Sequence, residues 1–366
     1  MKKIITLVLV FLLLFSLAAC GESTEKTIEE KEGYTIYSDD LGNKVQIIDD
    51  PQNLSCIFAV ATHWACMFGE PENVVSISEG NTRDYLLIEM FPEISEAKIV
   101  KGSNVFNIEE LISDPVPNVV FINPEGITDE ETVERLESFD ISLYIQSYGT
   151  FEEQMASATN MGKIINREEE AKKYTDFYER TISLVEERVA DIPDKERKTC
   201  YHAINELLRT DKPGTLSEAV FDAAGGISVA KDIVSKGEIS LTSKSYISVE
   251  DLMEQNPEYI FINGGDVMDY IEGSPQYHNL KAYQNNNIYL LPLGVSRWGH
   301  PTAIEAPLAT LFVAKTLYPE QFEDIDIKKE TKTFYKEMFE YDLSEEQLDK
   351  ILEGRAYKEI KGSGGN

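Results

Sequence analysis

The sequence predicts an α/β protein: two lobes of mostly parallel sheet with flanking helices, joined by one long rigid spine helix. Three observations predict it. Apolar strands alternate with capped helices along nearly the whole chain. One unit occurs twice. Asn107-Ile-Glu-Glu-Leu-Ile leads to Pro117-Asn-Val-Val-Phe-Ile-Asn123, and Ser248-Val-Glu-Asp-Leu-Met leads to Pro257-Glu-Tyr-Ile-Phe-Ile-Asn263. Each runs cap, acidic first turn, short helix, proline, buried strand, Asn, at an offset of about 140 residues with a one-residue slip. Between the two copies, from Arg167 to Asp191, Ala171, Tyr174, Phe177, Tyr178, Ile182, Val185 and Val189 recur every three or four positions, the helical period. Asn166 and Glu169 suit a capping box at its start, and Pro193 stops it. At roughly 1.5 Å per residue, about 24 residues span roughly 36 Å, enough to cross a domain. A capped helix followed by an apolar strand is common in α/β proteins, so the repetition on either side of the spine carries the two-lobe reading.

In chain order, Lys2 and Lys3 precede an apolar run from Ile4 to Leu14 and then Leu17-Ala-Ala-Cys20, the order of a secretory signal. The run is too short for a comfortable membrane span. Polar residues 21–33 form a flexible tether. From Tyr34 an alternating pattern around Asp40-Leu-Gly-Asn predicts a hairpin. Cys56 to Val60 is a buried strand, Thr62 to Phe68 a short helix, and Asn73 to Ser78 a second strand ending in Glu79-Gly-Asn-Thr-Arg83. The first repeated unit follows, then Leu136 to Ile145 as a helix end and strand closing at Tyr148. Phe151 to Ile164 is amphipathic and leads into the spine. The second lobe opens with a strand at Lys198 to Ile204 and a helix at Ser217 to Ala224, stopped by Gly225-Gly226. After the second unit come a last strand at Asn287 to Pro292 and a helix from Ala303 to Leu317. Lys328 to Glu353 holds two helices split near Asp342-Leu-Ser344. The expected segments are a lipoprotein signal peptide 1–20, tether 21–33, N-terminal lobe 34–150, linking helices 151–193, C-terminal lobe 194–327, C-terminal helices 328–360 and a disordered tail 361–366.

The net charge of −31 argues against nucleic acid and anionic membrane surfaces as partners, and reads mainly as solubility. Cys56, Cys66 and Cys200 show neither zinc-site spacing nor C-x-x-C, and a Cys56–Cys66 disulfide and buried free thiols both stay open. G-x-S-x-G, H-E-x-x-H, P-loop and G-x-G-x-x-G patterns are all missing, so no enzyme, cofactor or dedicated metal cage is expected.

Several stretches resemble one family. Asn256-Pro-Glu-Tyr-Ile-Phe-Ile, Ala223-Ala-Gly-Gly-Ile-Ser-Val-Ala, Gly162-Lys-Ile-Ile-Asn-Arg-Glu-Glu-Glu-Ala and Trp298-Gly-His-Pro-Thr-Ala-Ile-Glu-Ala-Pro-Leu with Ala314-Lys-Thr-Leu-Tyr-Pro-Glu-Gln-Phe322 are similar to motifs of class III solute-binding proteins of ABC importers. These capture iron–siderophores, haem, cobalamin and, in some branches, oxyanions such as molybdate. The resemblance covers about Val45 to Phe339, four motifs in family order. It departs from the family at Leu54-Ser-Cys-Ile, where an "RVV" opening is usual, and at Glu258, where Asp is usual. Leu17-Ala-Ala-Cys20 resembles the bacterial lipobox, which implies a lipid on Cys20 and an extracytoplasmic, membrane-anchored monomer. The resemblance also implies a cleft between lobes, little closure about a stiff spine, and delivery to a permease and its ATPase. Docking through one acidic residue per lobe would fall to Glu93 or Glu96, and to Glu250.

Ligands of α/β sheets bind beyond the carboxyl ends of strands. That rule nominates Thr62, His63 and Trp64; Gly80, Asn81, Thr82 and Arg83; Asn123 and Tyr148; Asn205 and Glu206; Lys244, Ser245 and Tyr246; Asn263 and Gly264; and Ser296, Arg297, Trp298, Gly299 and His300. Arg83 and Arg297 are the sharpest pair, since a guanidinium fork suits carboxylates, phosphates or an oxyanion. His63 and His300 suit iron, a metal or an oxyanion, whereas His202 reads as a core residue and His278 as a solvated loop residue. Trp64, Trp298 and Tyr148 offer stacking faces for a flat chelate. The expected function is capture of an iron complex (siderophore, haem or a cobalamin-like chelate) for an ABC importer. Alternatives are a molybdate or tungstate oxyanion on the same fold, or a surface enzyme or sensor.

Overall fold

The computed structural model describes residues 30–102, 106–126, 130–231, 233 and 245–354. The signal peptide, Cys20, Lys244 and the tail 361–366 lie outside the described residues, as does most of the tether. Among the described residues no helix is long and apolar enough to cross a membrane.

A hairpin of β1 (Tyr34–Ser38) and β2 (Lys44–Ile48) opens the folded part. The first lobe is a parallel sheet of β3 (Leu54–Cys56), β4 (Val74–Ser78), β5 (Lys98–Lys101), β6 (Val119–Ile122) and β7 (Ser142–Ile145), in the order β5-β4-β3-β6-β7. The second contains β8 (Thr199–Ala203), β10 (Ile227–Ser228), β12 (Tyr259–Ile262) and β13 (Ile288–Leu290), in the order β10-β8-β12-β13, again parallel. A small antiparallel pair, β9 (Arg209–Thr210) with β11 (Ser245–Tyr246), lies beside it. The two sheet orders match strand for strand once β5 is removed, and the repeated strands β6 and β12 take the same place in each. Their helices begin as the pattern predicts: Asn107 accepts from the Glu110 N–H at 3.1 Å, and Ser248 and Asp251 form a capping box.

The spine helix runs from Glu168 to Val189, 22 residues or roughly 33 Å. Every apolar residue assigned to its inner face is buried, and Thr181 joins them by donating to the Phe177 carbonyl. Its cap differs from expectation. The capping residue is Arg167 and has no side-chain bond, because Asn166 serves the preceding helix, Phe151–Ile164. Asn166 is left-handed at φ 57°, and the Arg167 N–H reaches back to the Gly162 carbonyl at 2.7 Å, a Schellman closure. A Cβ on Gly162 would come within 2.5 Å of the Ala171 Cβ, so this glycine lets the two helices meet at a tight elbow.

One continuous core takes in both sheets, the spine and the C-terminal helices Ile327–Phe339 and Glu345–Leu352, with a smaller cluster on the outer face of each lobe. Cys56, Cys66 and Cys200 are buried free thiols, and burial pushes each thiol's pKa up. Glu258, at the opposite end of its strand from the cleft, accepts from Thr199.

Candidate functional site

The strand ends of both lobes face one cavity of about 460 Å³. Its first-lobe wall carries Phe58, Asn123, Gln146 and Tyr148, and its second-lobe wall carries Ile204, Arg209, Asp211, Lys212, Leu216 and His300. Asn123 and Gln146 follow the paired strand ends Ile122 and Ile145. Each is almost fully buried, with an amide oxygen that has no partner. Phe58 and Tyr148 meet with ring centroids 5.7 Å apart, and the Lys101 Nζ lies 4.3 Å from the centre of the Phe58 ring. This gives the cavity an apolar panel beside polar groups.

Arg297 is half-buried in the loop after β13 and donates to Asn205 Oδ1. Asn205 is held left-handed at φ 63°, and its backbone N–H donates to Asn263 Oδ1 at 3.1 Å. A non-glycine residue in that region marks a backbone constrained by its surroundings. Desolvation lowers the Arg297 pKa; Arg83 and Arg209 lower it further, while Asp84 and Asp266 pull the other way. Arg83 and Arg209 are thus each within electrostatic reach of Arg297. Arg83 comes from the first lobe, on the 3₁₀ turn Glu79–Arg83, and makes no hydrogen bond or ion pair among the described residues. Arg209 belongs both to this group and to the cavity wall, and its buried Nε has no partner.

Other nominated residues act behind the wall. The strand expected at Cys56 to Val60 ends at Cys56, and a helix already runs from Ala59 to Met67. Thr62, His63 and Trp64 thus lie inside a helix buried on nearly all sides, and Phe58 takes the place at the strand end. The His63 Nε2 and the Asn81 Nδ2 both reach Asp84 Oδ2, at 2.9 and 3.1 Å, while Asn81 Oδ1 accepts from Ser78 and Thr62. These buried bonds fix the residue next to Arg83. Trp64 packs edge-on against Tyr174 of the spine, and Trp298 against Phe312, both at 0% exposure, so neither offers a ring face to a ligand. The helix expected from Ala303 begins at Ala306, after Pro301 and a turn.

His300 lines the cavity. Its Nδ1 lies 2.9 Å from the Thr302 hydroxyl and 3.3 Å from the Thr302 N–H. His202 is a core residue as expected, paired through Nδ1 with Asp211 at 2.8 Å. His278 is half-buried and stacks on Tyr283. Glu206 and Tyr246 are exposed and share a 3.3 Å hydrogen bond. Glu96 and Glu250 are exposed, whereas Glu93 is half-buried. No cluster of three or more potential metal ligands occurs among the described residues. Sequence reasoning missed Arg209 and Phe58. The clue to Arg209 was a charged stretch, Arg209-Thr-Asp-Lys212, just past a strand end.

A family model for periplasmic binding proteins matches residues 58–293. The molybdate-binding protein MolA of Haemophilus influenzae is 23% identical over 335 residues, covering 83% of this chain and 90% of its own length. The solved structure of MolA bound to molybdate superimposes with a TM-score of 0.72 at 20% identity, over 85% of this chain and 99% of the other. A periplasmic solute binding protein from Veillonella parvula gives 0.74 at 21% identity, over 87% and 97%. CeuE of Helicobacter pylori with Ni(II) bound gives 0.69 at 21% identity, over 87% and 99%. At these identities the structural matches speak for the fold and not for a cargo.

Proposed function

The chain belongs to the periplasmic binding proteins, the solute-capturing components of ABC transporters, and from that premise we propose that its cargo is a compact oxyanion held by Arg83, Arg209 and Arg297. The reading is carried by Arg209 on the cavity wall together with Arg297, which lies within electrostatic reach of both Arg209 and Arg83 of the other lobe. Partly buried cations that face no carboxylate ion pair cost folding energy, and they make sense where an anion completes them. The chain as a whole, at −31, does not attract anions, so an arginine-bearing cleft departs from its surroundings. The relative MolA, named as a molybdate-binding protein, supports the same class of cargo.

An anionic iron chelate is the second reading, and the cavity favours it. A volume of about 460 Å³ with Phe58 and Tyr148 on one side exceeds what a tetrahedral oxyanion fills and suits a flat ligand. Calorimetric titration with molybdate, tungstate, a ferric siderophore, haemin and cobalamin separates the two. The expected result is saturable binding of an oxyanion, weakened about tenfold or more in Arg297→Ala through loss of a charged hydrogen bond. A chelate bound alone moves the assignment to the second reading, and neutral cobalamin bound alone overturns both.

In this reading the protein works outside the cytoplasm, tethered by a lipid on Cys20, and performs no chemistry on its cargo. Leu17-Ala-Ala-Cys20 supports the tether. A Cys20→Ser variant should leave the membrane fraction; one that stays there counts against a lipid at this residue. Exposed Glu96 and Glu250, with half-buried Glu93, are the proposed contacts to the permease that works with its ATPase.

A further inference from the structure

We infer that Glu305 is a positioning residue of the anion site, holding Arg297 in place through the two residues that precede it. The inference rests on the reading of Arg297 as a cargo contact. Glu305 is fully buried at the start of the helix Ala306–Leu317. Its Oε1 accepts from the Val295 N–H at 2.9 Å and the Tyr335 hydroxyl at 2.6 Å. Its Oε2 accepts from the Ser296 N–H at 2.9 Å and from the Ser296 hydroxyl. Four donors fill the capacity of a carboxylate, and three of them come from the residues just before Arg297. An acidic side chain at a helix start ordinarily caps its own helix, but this one makes no cap bond and is turned wholly to the loop.

The neighbourhood is built around that grip. A Cβ on Gly294 would overlap both Glu305 Oε1 and the Tyr335 oxygen, so only glycine lets the loop backbone press onto the carboxylate. The Ser296 Oγ also accepts from the Ile304 N–H at 3.1 Å, closing the loop at its far end. Tyr335 belongs to the C-terminal helix Ile327–Phe339, which ties the grip to the core behind the cleft. His63, from the helix Ala59–Met67, and Tyr174 of the spine are the titratable groups of other elements within electrostatic reach of the carboxylate. Burial pushes the Glu305 pKa up.

The test compares wild type, Glu305→Gln, Tyr335→Phe, Arg297→Ala and the Glu305→Gln/Arg297→Ala double variant. It reads amide hydrogen exchange of segment 293–297 and the dissociation constant for sodium molybdate between pH 5 and 8. Glu305→Gln should speed exchange in the segment about tenfold, leave the spine protected, and weaken molybdate binding by about tenfold. In the Arg297→Ala background the same change should add less than about twofold, because the two residues act as one unit. Tyr335→Phe, which removes one donor of four, should shift both readings in the same direction by about threefold. A folded Glu305→Gln protein with wild-type exchange in 293–297 overturns the inference. So does faster exchange with unchanged affinity. If wild type ignores molybdate, or if Arg297→Ala binds it equally well, the cargo reading has failed, and the exchange arm alone decides whether Glu305 holds the loop.

Discussion

Trp64 and Trp298 lie near the cleft in sequence and far from it in environment, each at 0% exposure against the aromatic face of a helix. Cargo binding should therefore change tryptophan emission by only a few per cent, well below what calorimetry resolves; a large saturable change would place a tryptophan at the ligand. The arginines behaved differently. Arg83 and Arg297 are nominated by the strand-end rule, which needs no knowledge of packing, and both lie in the turns and loops that follow the strands ending at Ser78 and Leu290. His63, Asn81 and Trp64 carry the same residue chemistry as cleft groups, and only the fold turns them inward. Phe58 was hidden in an apolar run, Cys56 to Val60, whose periodicity does not separate a buried strand from a buried helix. Glu305 supplies a pH test of stability whose sign follows from its raised pKa. The folded state holds its proton more tightly than the unfolded chain does, so its contribution to stability falls as pH rises from the unfolded carboxylate value through the raised one. Glutamine has no such dependence. The melting temperature of Glu305→Gln relative to wild type should therefore move in favour of the variant between pH 5 and pH 8; a gap that moves the other way would show that folding stabilises the carboxylate instead.

The repeated helix–strand unit was legible twice over, from its caps and from its proline, and both copies occupy the middle of their sheets. Element boundaries were less legible where one residue can serve two neighbours. Asn166 is a good N-cap by type, yet it closes the helix before it, since the left-handed turn between two helices admits Asn more readily than most residues. The spine's inner face, by contrast, is set by a long 3.6-residue period that no local choice can overturn. Phe177 shows what that face holds together. It is buried at 2% exposure, with its ring 5.2 Å from Phe334 of the C-terminal helix. Phe177→Ala should cost about 3–5 kcal/mol, the usual range for a buried aromatic, read as a lower denaturation midpoint in urea. Because spine, sheets and C-terminal helices share one core, unfolding should remain a single transition. A separate early loss of the C-terminal helices would show that they are an independent layer.

Across the molecule, two of the connections between the lobes bear on stiffness. The spine is one. The helix Glu345–Leu352 is the other, and its place is not legible from sequence pattern because its contacts lie far away in the chain. The Gln347 Nε2 donates to Glu89 of the first lobe at 2.9 Å, while the Ile351 carbonyl accepts from Leu293 of the second at 2.9 Å. Phe339, one helix earlier, meets Phe91 of the first lobe at 6.2 Å. A hinge acts by changing a few backbone dihedrals, and here any opening must also break this bridge or slide a shared core. A body of about 330 residues has a radius of gyration of roughly 20 Å. Cargo should change that radius by less than about 1 Å in small-angle scattering, the range of pre-organised binding. Ending the chain after Ser344 removes the bridge and leaves the spine. If the bridge sets the stiffness, the truncated protein should still fold, melt lower, and show at least about twice the cargo-induced change. An unchanged response would assign the stiffness to the spine and its core alone, which is the outcome the sequence-based picture of a single rigid connector predicts.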